Sequence, residues 1–499
     1  MLLHWSAAAA DTRLYYAGAT PLGMDETSIR FLERDTPTAP VTVLNQAGGG
    51  ALEAELMAER KGLLFLTLDE AANGMDLDGD GDSSDENVLA LLDGTDPLAR
   101  TRSVALALAS KSSPVDARLS GAGDWLVAFL VDEAGQGGVS LNDPSRFGQP
   151  LLPPQCGTNP PDTDAADEVL HFLEFADFLA GAVPVSTGLA GRGRVLALAG
   201  VVATTSAEAD AGCDLNDDGD SGDEVARWVA AVTPVAPASD LAQMHALETS
   251  VAGGSMGLSH LDERLIAVVS EAADSQDLDT KVEEHDLVAW LDPGLGTLAT
   301  WHFAHQHPTL NNFGTGVFDT DGDSEPFAGT DWMAAEPTGD RLGITFLEEV
   351  PGTNPNMGSI NSNLDCSLVL KDADKTDALP VWADFETGPT LDWDGVGYAV
   401  DGGRAGITIA AGFAFFRVSE NDDNRDYNGD GDQDDVVLFR NPLTACAPVA
   451  MATSSGLSTL TITTDGVQGA AFLTDESAMN TDVNGDGDTA DAFVRYFLF

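Results

Sequence analysis

The segment Glu476–Phe499, ESAMNTDVNGDGDTADAFVRYFLF, decides how this chain is read. Glu476 stands six residues ahead of a loop with Asp482, Asn484, Asp486, Asp488 and Asp491 at positions 1, 3, 5, 7 and 10. The apolar strand Phe493–Phe499 follows at once. Oxygen side chains at alternate positions, with Gly487 at position 6 for the sharp turn, are the local signature of a calcium-binding loop. An EF-hand would need a Glu at position 12 between two helices. Here the apolar run begins straight after position 10, so the loop joins strands.

Three more copies keep the same offsets. Glu70 precedes Asp76, Asp78, Asp80, Asp82 and Asp85; Glu208 precedes Asp214, Asn216, Asp218, Asp220 and Asp223; Glu420 precedes Asp426, Asn428, Asp430, Asp432 and Asp435. Gly81, Gly219 and Gly431 hold position 6. Asp319, Asp321, Asp323 and Glu325 alternate too, but lack the Gly and the preceding Glu. The Glu271 copy keeps Asp277, Asp279, Glu283 and Asp286, yet Lys281 occupies position 5, where an ammonium would replace the cation. The Glu133 repeat keeps Asp162, Asp164 and Asp167 beside a Pro/Gly-rich insertion, and the Glu349 repeat keeps Asp372, Asp374 and Asp377. Arg13–Phe31 carries only Asp25 and Glu26 between its strands. Calcium is the expected cofactor, at about four to five ions.

Carboxylates packed into a ten-residue turn repel one another, so closure calls for a cation. Ligands at 1, 3, 5 and 7 can wrap one side of the ion, with position 10, a carbonyl and water filling the rest. The Glu six residues ahead would reach the same ion across the hairpin or orient a ligand. Such ligands saturate the ion, so the expected role is structural.

The strands entering these loops start near Arg13, Leu63, Trp125, Arg194, Arg264, Arg341, Phe413 and Gln468, eight copies about 65 residues apart. Entering runs such as Leu63–Leu68 and Phe413–Val418, and returning runs such as Val88–Leu92 and Val436–Phe439, are short, β-branched or aromatic, and bounded by Gly, Asp and Asn. Further apolar runs, Val104–Ala109 and Leu457–Ile462 among them, give three or four strands per repeat. A lone hairpin cannot bury its own faces, so the copies must pack on one another. The expected fold is all-β: a β-propeller of eight blades, or seven if one copy is only an insertion. A linear β-solenoid and two β-sandwiches are the alternatives. One repeat domain spans 1–499, with repeats at about 1–50, 51–110, 111–185, 186–250, 251–330, 337–400, 401–455 and 456–499, and an insertion at about 300–336. Leu2–Trp5 is expected to complete the last blade.

The formal charge of −59 rests on 82 acidic and 23 basic residues, only five of them Lys. No basic patch is visible, which excludes binding to nucleic acid or an anionic membrane through phosphates. About half a dozen calcium ions would offset roughly 12 charges. The rest is surface acidity, suited to solubility and to a saline environment. No run of 18 apolar residues appears, so membrane insertion is not expected. Met1–Ala10 does not read as a signal peptide, and a secreted form would be mature or a fragment. Short calcium loops fill at the millimolar calcium outside cells. Of the three possible pairings, the disulfides expected are Cys156 with Cys213 and Cys366 with Cys446.

The phrases DLDGDGDSSDENVL, DLNDDGDSGDEV, DYNGDGDQDDVVL and DVNGDGDTADAFV resemble the repeated loops of secreted bacterial propeller-like repeat proteins. That resemblance implies calcium-binding blades and an exported or cell-surface location, and supplies no catalytic residue. The loops are also similar to those of dockerins, thrombospondin type 3 repeats and integrin propellers. The dockerin helix and the Cys-dense thrombospondin pattern are missing.

Other chemistry is sparse. Two or three of His302, His305 and His307, with His285 nearby, could ligate zinc or another transition metal, but no partner follows at diagnostic spacing and they read as surface or packing groups. There is no HExxH, P-loop or CxxC motif. Trp125, Trp228, Trp290, Trp301, Trp332, Trp382 and Trp393 could line a sugar-binding face, but several sit in strands and read as core. The function expected is a calcium-binding extracellular structural or adhesion module with a protein or glycan partner, or self-association through calcium. The alternative is an exported glycan-acting hydrolase or lyase, with its site in a central channel or in the Ala134–Pro161 and His302–Glu336 insertions.

Overall fold

Short apolar runs between Gly, Asp and Asn become strands, and within each sheet consecutive strands pair. The computed structural model describes, with short interruptions, residues 54–142, 166–231 and 392–453, and elsewhere, apart from isolated turn positions, the strands named below. Eight antiparallel sheets are present among the described residues. The first contains Ala7–Ala10, Arg13–Gly18, Ser28–Glu33 and Val41–Thr42; the second Ala54–Arg60, Leu63–Leu68, Val88–Asp93 and Arg102–Ala107. The third contains Val115–Leu119, Trp125–Asp132, Glu168–Glu174 and Val185–Ala190; the fourth Arg192–Leu198, Val201–Ala207, Glu224–Ala230 and Met244–Ser250. The fifth contains Leu258–Leu261, Arg264–Ser270, Asp286–Leu291 and His302–Phe303; the sixth Thr330–Ala335, Arg341–Leu347, Ala378–Asp384 and Asp392–Gly395. The seventh contains Ile407–Ala410, Phe413–Ser419, Val436–Pro442 and Val449–Thr453; the last has three strands, Gly456–Thr461, Gln468–Asp475 and Ala492–Leu498. Leu2–Trp5, expected to complete this last sheet, lies outside the described residues.

Two compact units contain these sheets. Met1–Thr249 with Thr461–Gly466 forms one, and Ser250–Leu460 with Val467–Phe499 the other. In the first unit, Leu63–Leu68 is buried at every position, which a half-exposed strand cannot be. Leu63 and Phe65 join Val127, Phe129 and Val131 of the third sheet in one cluster, while Leu64, Leu66 and Leu68 build another on the opposite face. The third sheet is likewise covered twice, since Leu126, Ala128 and Leu130 pack with Val195, Ala197 and Val202 of the fourth. Strand side chains alternate faces, so two buried faces need apolar residues throughout. Gly191 marks the closeness of this packing: a Cβ there would lie 2.5 Å from Leu130 Cδ2. In the second unit, Trp382, Ile407, Phe416 and Phe439 share the corresponding core of the sixth and seventh sheets. Trp125, Trp228 and Trp382 are buried, in keeping with a packing role.

One expected strand start is corrected. Arg194 was expected to open the strand that enters the fourth loop, but it lies in Arg192–Leu198, one strand earlier. The entering strand is Val201–Ala207. Both runs are apolar and joined by a tight turn with Gly200 at φ 71°, so their local patterns are alike and pairing alone separates them.

His171 sits inside the third sheet, 3% exposed, stacked on Phe129, with Nδ1 donating to the Val169 carbonyl at 2.9 Å. Burial pushes its pKa down to about 4. The unfolded chain takes up this proton near pH 6.5 and the folded chain only near pH 4. Stability is therefore fully present above about pH 6.5 and falls as pH drops between the two values. His171→Leu is expected to make the unfolding free energy less steep across that window by about one proton, roughly 1.4 kcal/mol per pH unit. Chemical unfolding of both proteins at a series of pH values checks this; parallel curves would refute it.

Candidate metal centre

Each well-described acidic loop is hung on one buried glutamate. Glu70, Glu208 and Glu420 stand just after the second strand of the second, fourth and seventh sheets, and each is 0% exposed. Oε1 of Glu70 accepts the N–H groups of Leu77 and Asp78. Oε1 of Glu208 accepts those of Leu215 and Asn216, and Oε1 of Glu420 those of Tyr427 and Asn428. The same two loop positions, 2 and 3, are caught each time. The backbone N–H groups of Glu208 and Glu420 donate to the carbonyls of Asp223 and Asp435 at 2.9 Å, closing the ring from position 10. In the first copy Asp69 caps a single helical turn, Glu70–Asn73, and Gly74 ends it at φ 66°, which sends the chain back into the loop.

The loop carboxylates do two jobs, and some do both. Some hold the turn: Asp76 accepts from Gly79, Asp80 from Asp82, and Asp82 from Ser84. Asp214 accepts from Gly219, and Asp426 from both Gly429 and Gly431. The glycine at position 6 has φ of 102° to 104° in all four copies, Gly81, Gly219, Gly431 and Gly487, a conformation closed to other residues without strain. Several converge. Glu70 with Asp76 and Asp78, Glu208 with Asp218, Asp220 and Asp223, and Glu420 with Asp432 and Asp435 each bring carboxylate oxygens within 4.8 Å of one another. These three groups could hold a metal ion.

The convergence differs from the simple alternate-position expectation. Asp80 and Asp82 stand outside the first group, Asp214 outside the second and Asp426 outside the third. Accepting a backbone N–H does not by itself exclude a side chain from the group, since Asp76, Asp78, Asp218, Asp220 and Asp432 do both; the glutamate from the strand end takes a place in each group. Asn216 and Asn428 point their amides at Asp223 and Asp435, at 3.5 and 2.5 Å, and so orient a carboxylate. Burial raises the Glu208 carboxyl, which the N–H groups of Leu215, Asn216 and Asp223 counteract and Asp214 reinforces. Asp78 is raised by burial and by the charges of Glu70, Asp80 and Asp76, against the N–H of Asp80. Oxygen-only ligands of this kind suit a hard cation.

A fourth loop, that of the Glu133 repeat, is legible in the chain only in part: Glu133 and Asp167 stand out, Asn142 does not. Glu133 is 0% exposed, and its Oε1 accepts from Leu141 and Asn142, as in the complete copies. Its backbone N–H donates to the Asp167 carbonyl at 3.0 Å, and the Asn142 amide donates to Asp167 Oδ2 at 2.8 Å. Asn142 thus stands where Asn216 and Asn428 stand. The insertion separates it from Asp167 by 25 residues, and its offset from Glu133 is one longer than usual. The Leu-Asn pair shared with 215–216 is the one signal that could have found it.

Several expected ligands lie outside the described residues: Asp85 and Asp430; Asp319, Asp321 and Asp323; Glu476, Asp482, Asn484, Asp486, Asp488 and Asp491. So do the Lys281 loop, Asp162, Asp164, Asp372, Asp374, Asp377 and all four cysteines, Cys156, Cys213, Cys366 and Cys446. Among the described residues, no helix is long and apolar enough to cross a membrane.

No protein-family model matches the chain, and no curated protein matches its sequence. Among solved structures, the β-propeller domain of the Trilobed protease from Pyrococcus furiosus is similar over 99% of this chain and 96% of its own, at 6% identity and a TM-score of 0.40. A prolyl endopeptidase structure is similar over 94% of this chain at 8% identity and a TM-score of 0.41; the chain spans about half, 53%, of that protein. The α-L-arabinofuranosidase Arb93A from Fusarium graminearum covers 77% of this chain and 92% of its own at 10% identity and a TM-score of 0.30. Scores at this level assign neither activity nor substrate.

Proposed function

We propose that this chain is a calcium-stabilised β-propeller of eight blades that serves as an extracellular structural or interaction module, with calcium locking the hairpin of each blade that bears a complete loop. One observation carries the reading. A fully buried glutamate is brought together with two or three loop carboxylates in three separate sheets. A buried glutamate beside carboxylates that reach to the surface calls for a cation that water can deliver, and oxygen ligands in a flexible loop suit calcium better than the smaller, strictly octahedral magnesium. Eight antiparallel sheets in chain order support the propeller. In this reading the protein works outside the cell, where calcium is abundant and Cys156–Cys213 and Cys366–Cys446 form disulfides. Its partner is a protein, a glycan or a second copy bridged through calcium.

Thermal unfolding of metal-stripped protein, with calcium titrated back at high constant ionic strength, tests this. A large rise in Tm is expected, reproduced poorly by magnesium. Mass action gives each site about 2.7 kcal/mol at a hundred times its Kd. A Tm independent of calcium would leave the acidity as adaptation to salt and remove the structural role of the loops.

A further inference from the structure

The acidic loop of the second sheet is met by a turn of the third. This turn, 132–138, is wound by hydrogen bonds of its own residues: Gly135 N–H donates to the side-chain Asp132 Oδ2 at 3.0 Å, Gln136 N–H to the Asp132 carbonyl at 3.1 Å, and Gly138 N–H to the Glu133 carbonyl at 3.0 Å. Gly137, at φ 66°, passes so close that a Cβ there would lie 3.4 Å from Asp80 Oδ2. From this fixed turn Gln136 Nε2 donates to Asp78 Oδ2 at 2.6 Å. The other oxygen, Asp78 Oδ1, accepts from Asp80 N–H at 3.1 Å. One carboxylate is therefore held from two sheets.

That carboxylate belongs to the Glu70, Asp76 and Asp78 group. Glu70 is 0% exposed and its Oε2 has no hydrogen-bond partner, so a buried oxygen in the group stands ready for a cation. The chemistry of residue 136 fits this. A Lys or Arg would neutralise Asp78 and compete with the ion, whereas a neutral amide fixes the rotation of Asp78 and leaves its charge available.

We propose that calcium in the Glu70 loop clamps the second sheet to the third through Gln136, so that filling this site and ordering the 132–138 turn are coupled. The inference rests on the calcium reading above and adds to it a positioning residue on a neighbouring sheet. Coupling of this kind is reciprocal: whatever orders the turn also tightens the site.

The test is hydrogen exchange on the full chain, with and without calcium, followed at 76–84 and at 132–138, for the parent, Gln136→Ala and Gln136→Glu. In the parent, calcium is expected to slow exchange in both segments. In Gln136→Ala, protection of 76–84 should require about 10- to 100-fold more calcium, and calcium-dependent protection of 132–138 should vanish. Gln136→Glu sets a second carboxylate against Asp78, so its metal-free Tm should fall while its calcium-induced rise exceeds that of the parent. Calcium protection of 76–84 without 132–138 in the parent, or a Gln136→Ala protein that behaves like the parent, overturns the clamp alone. No calcium effect at 76–84 in the parent overturns the calcium reading of this loop and the clamp with it.

Discussion

Glu208→Ala is expected to lower stability by about 3–5 kcal/mol and to remove one calcium ion per chain. Three backbone N–H groups depend on this side chain, those of Leu215, Asn216 and Asp223. Leu215 is 1% exposed and Asn216 6%, so water cannot replace the lost acceptor. A buried donor left unsatisfied costs about 1–3 kcal/mol, and donors sharing one acceptor do not add fully. Glu208→Gln separates the two jobs of the residue. Its amide oxygen can still accept from Leu215 and Asn216, while the charge that draws the cation is gone. The Gln protein should therefore keep most of its metal-free stability and still lose the ion. Metal analysis of dialysed protein, alongside chemical unfolding with and without calcium, reads both effects. Unchanged calcium content in Glu208→Gln would show that the strand-end glutamate does not take part in binding.

Asp116→Ala should cost a similar amount by a route that calcium does not touch. Asp116 lies in Val115–Leu119 of the third sheet and is 6% exposed. Its Oδ1 accepts from Arg60 Nε at 3.2 Å, at the end of a strand of the second sheet, and its Oδ2 accepts from Ala197 N–H at 2.9 Å, in the fourth. One carboxylate thus ties three sheets. It also supports the charge of Arg194, which burial and the neighbouring Arg60 oppose. Removing one partner from a buried ionic group costs about 3–5 kcal/mol; the Arg60 side chain is 45% exposed and regains water, so the loss lies toward the lower end of that range and falls mainly on the Ala197 N–H. Asp116→Asn keeps an acceptor and should cost about 1–3 kcal/mol. Unfolding midpoints measured at saturating calcium isolate this contribution from the loops. A loss under about 0.5 kcal/mol for Ala, the range of ordinary surface changes, would refute the three-sheet tie.

Both residues show where the chain alone was legible. Glu208 could be singled out because it recurs at a fixed offset, and its loop is local: anchor and ligands lie within sixteen residues, so spacing carries the geometry. Asp116 could not, being one carboxylate among 82 acidic residues. Its partners are 56 and 81 residues away, and only sheet packing brings them together. Asn142 failed for a related reason, since the insertion breaks the offsets that revealed the other loops.

The chain by itself determined the strands and the acidic turns between them. Leu63–Leu68 is strand at the bounds its apolar run suggested, and Val88–Leu92 pairs back on it with Leu68 opposite Val88. Such features follow from side-chain alternation, β-branching and glycine's freedom at positive φ, all properties of a few adjacent residues. Tertiary structure decided which carboxylates converge and which only build the turn, that Asp78 is held by a neighbouring sheet, and that Arg194 lies one strand before the loop. Hydrogen bonds reach about 3 Å, so residues distant in sequence share a site only once packing has set their sheets side by side.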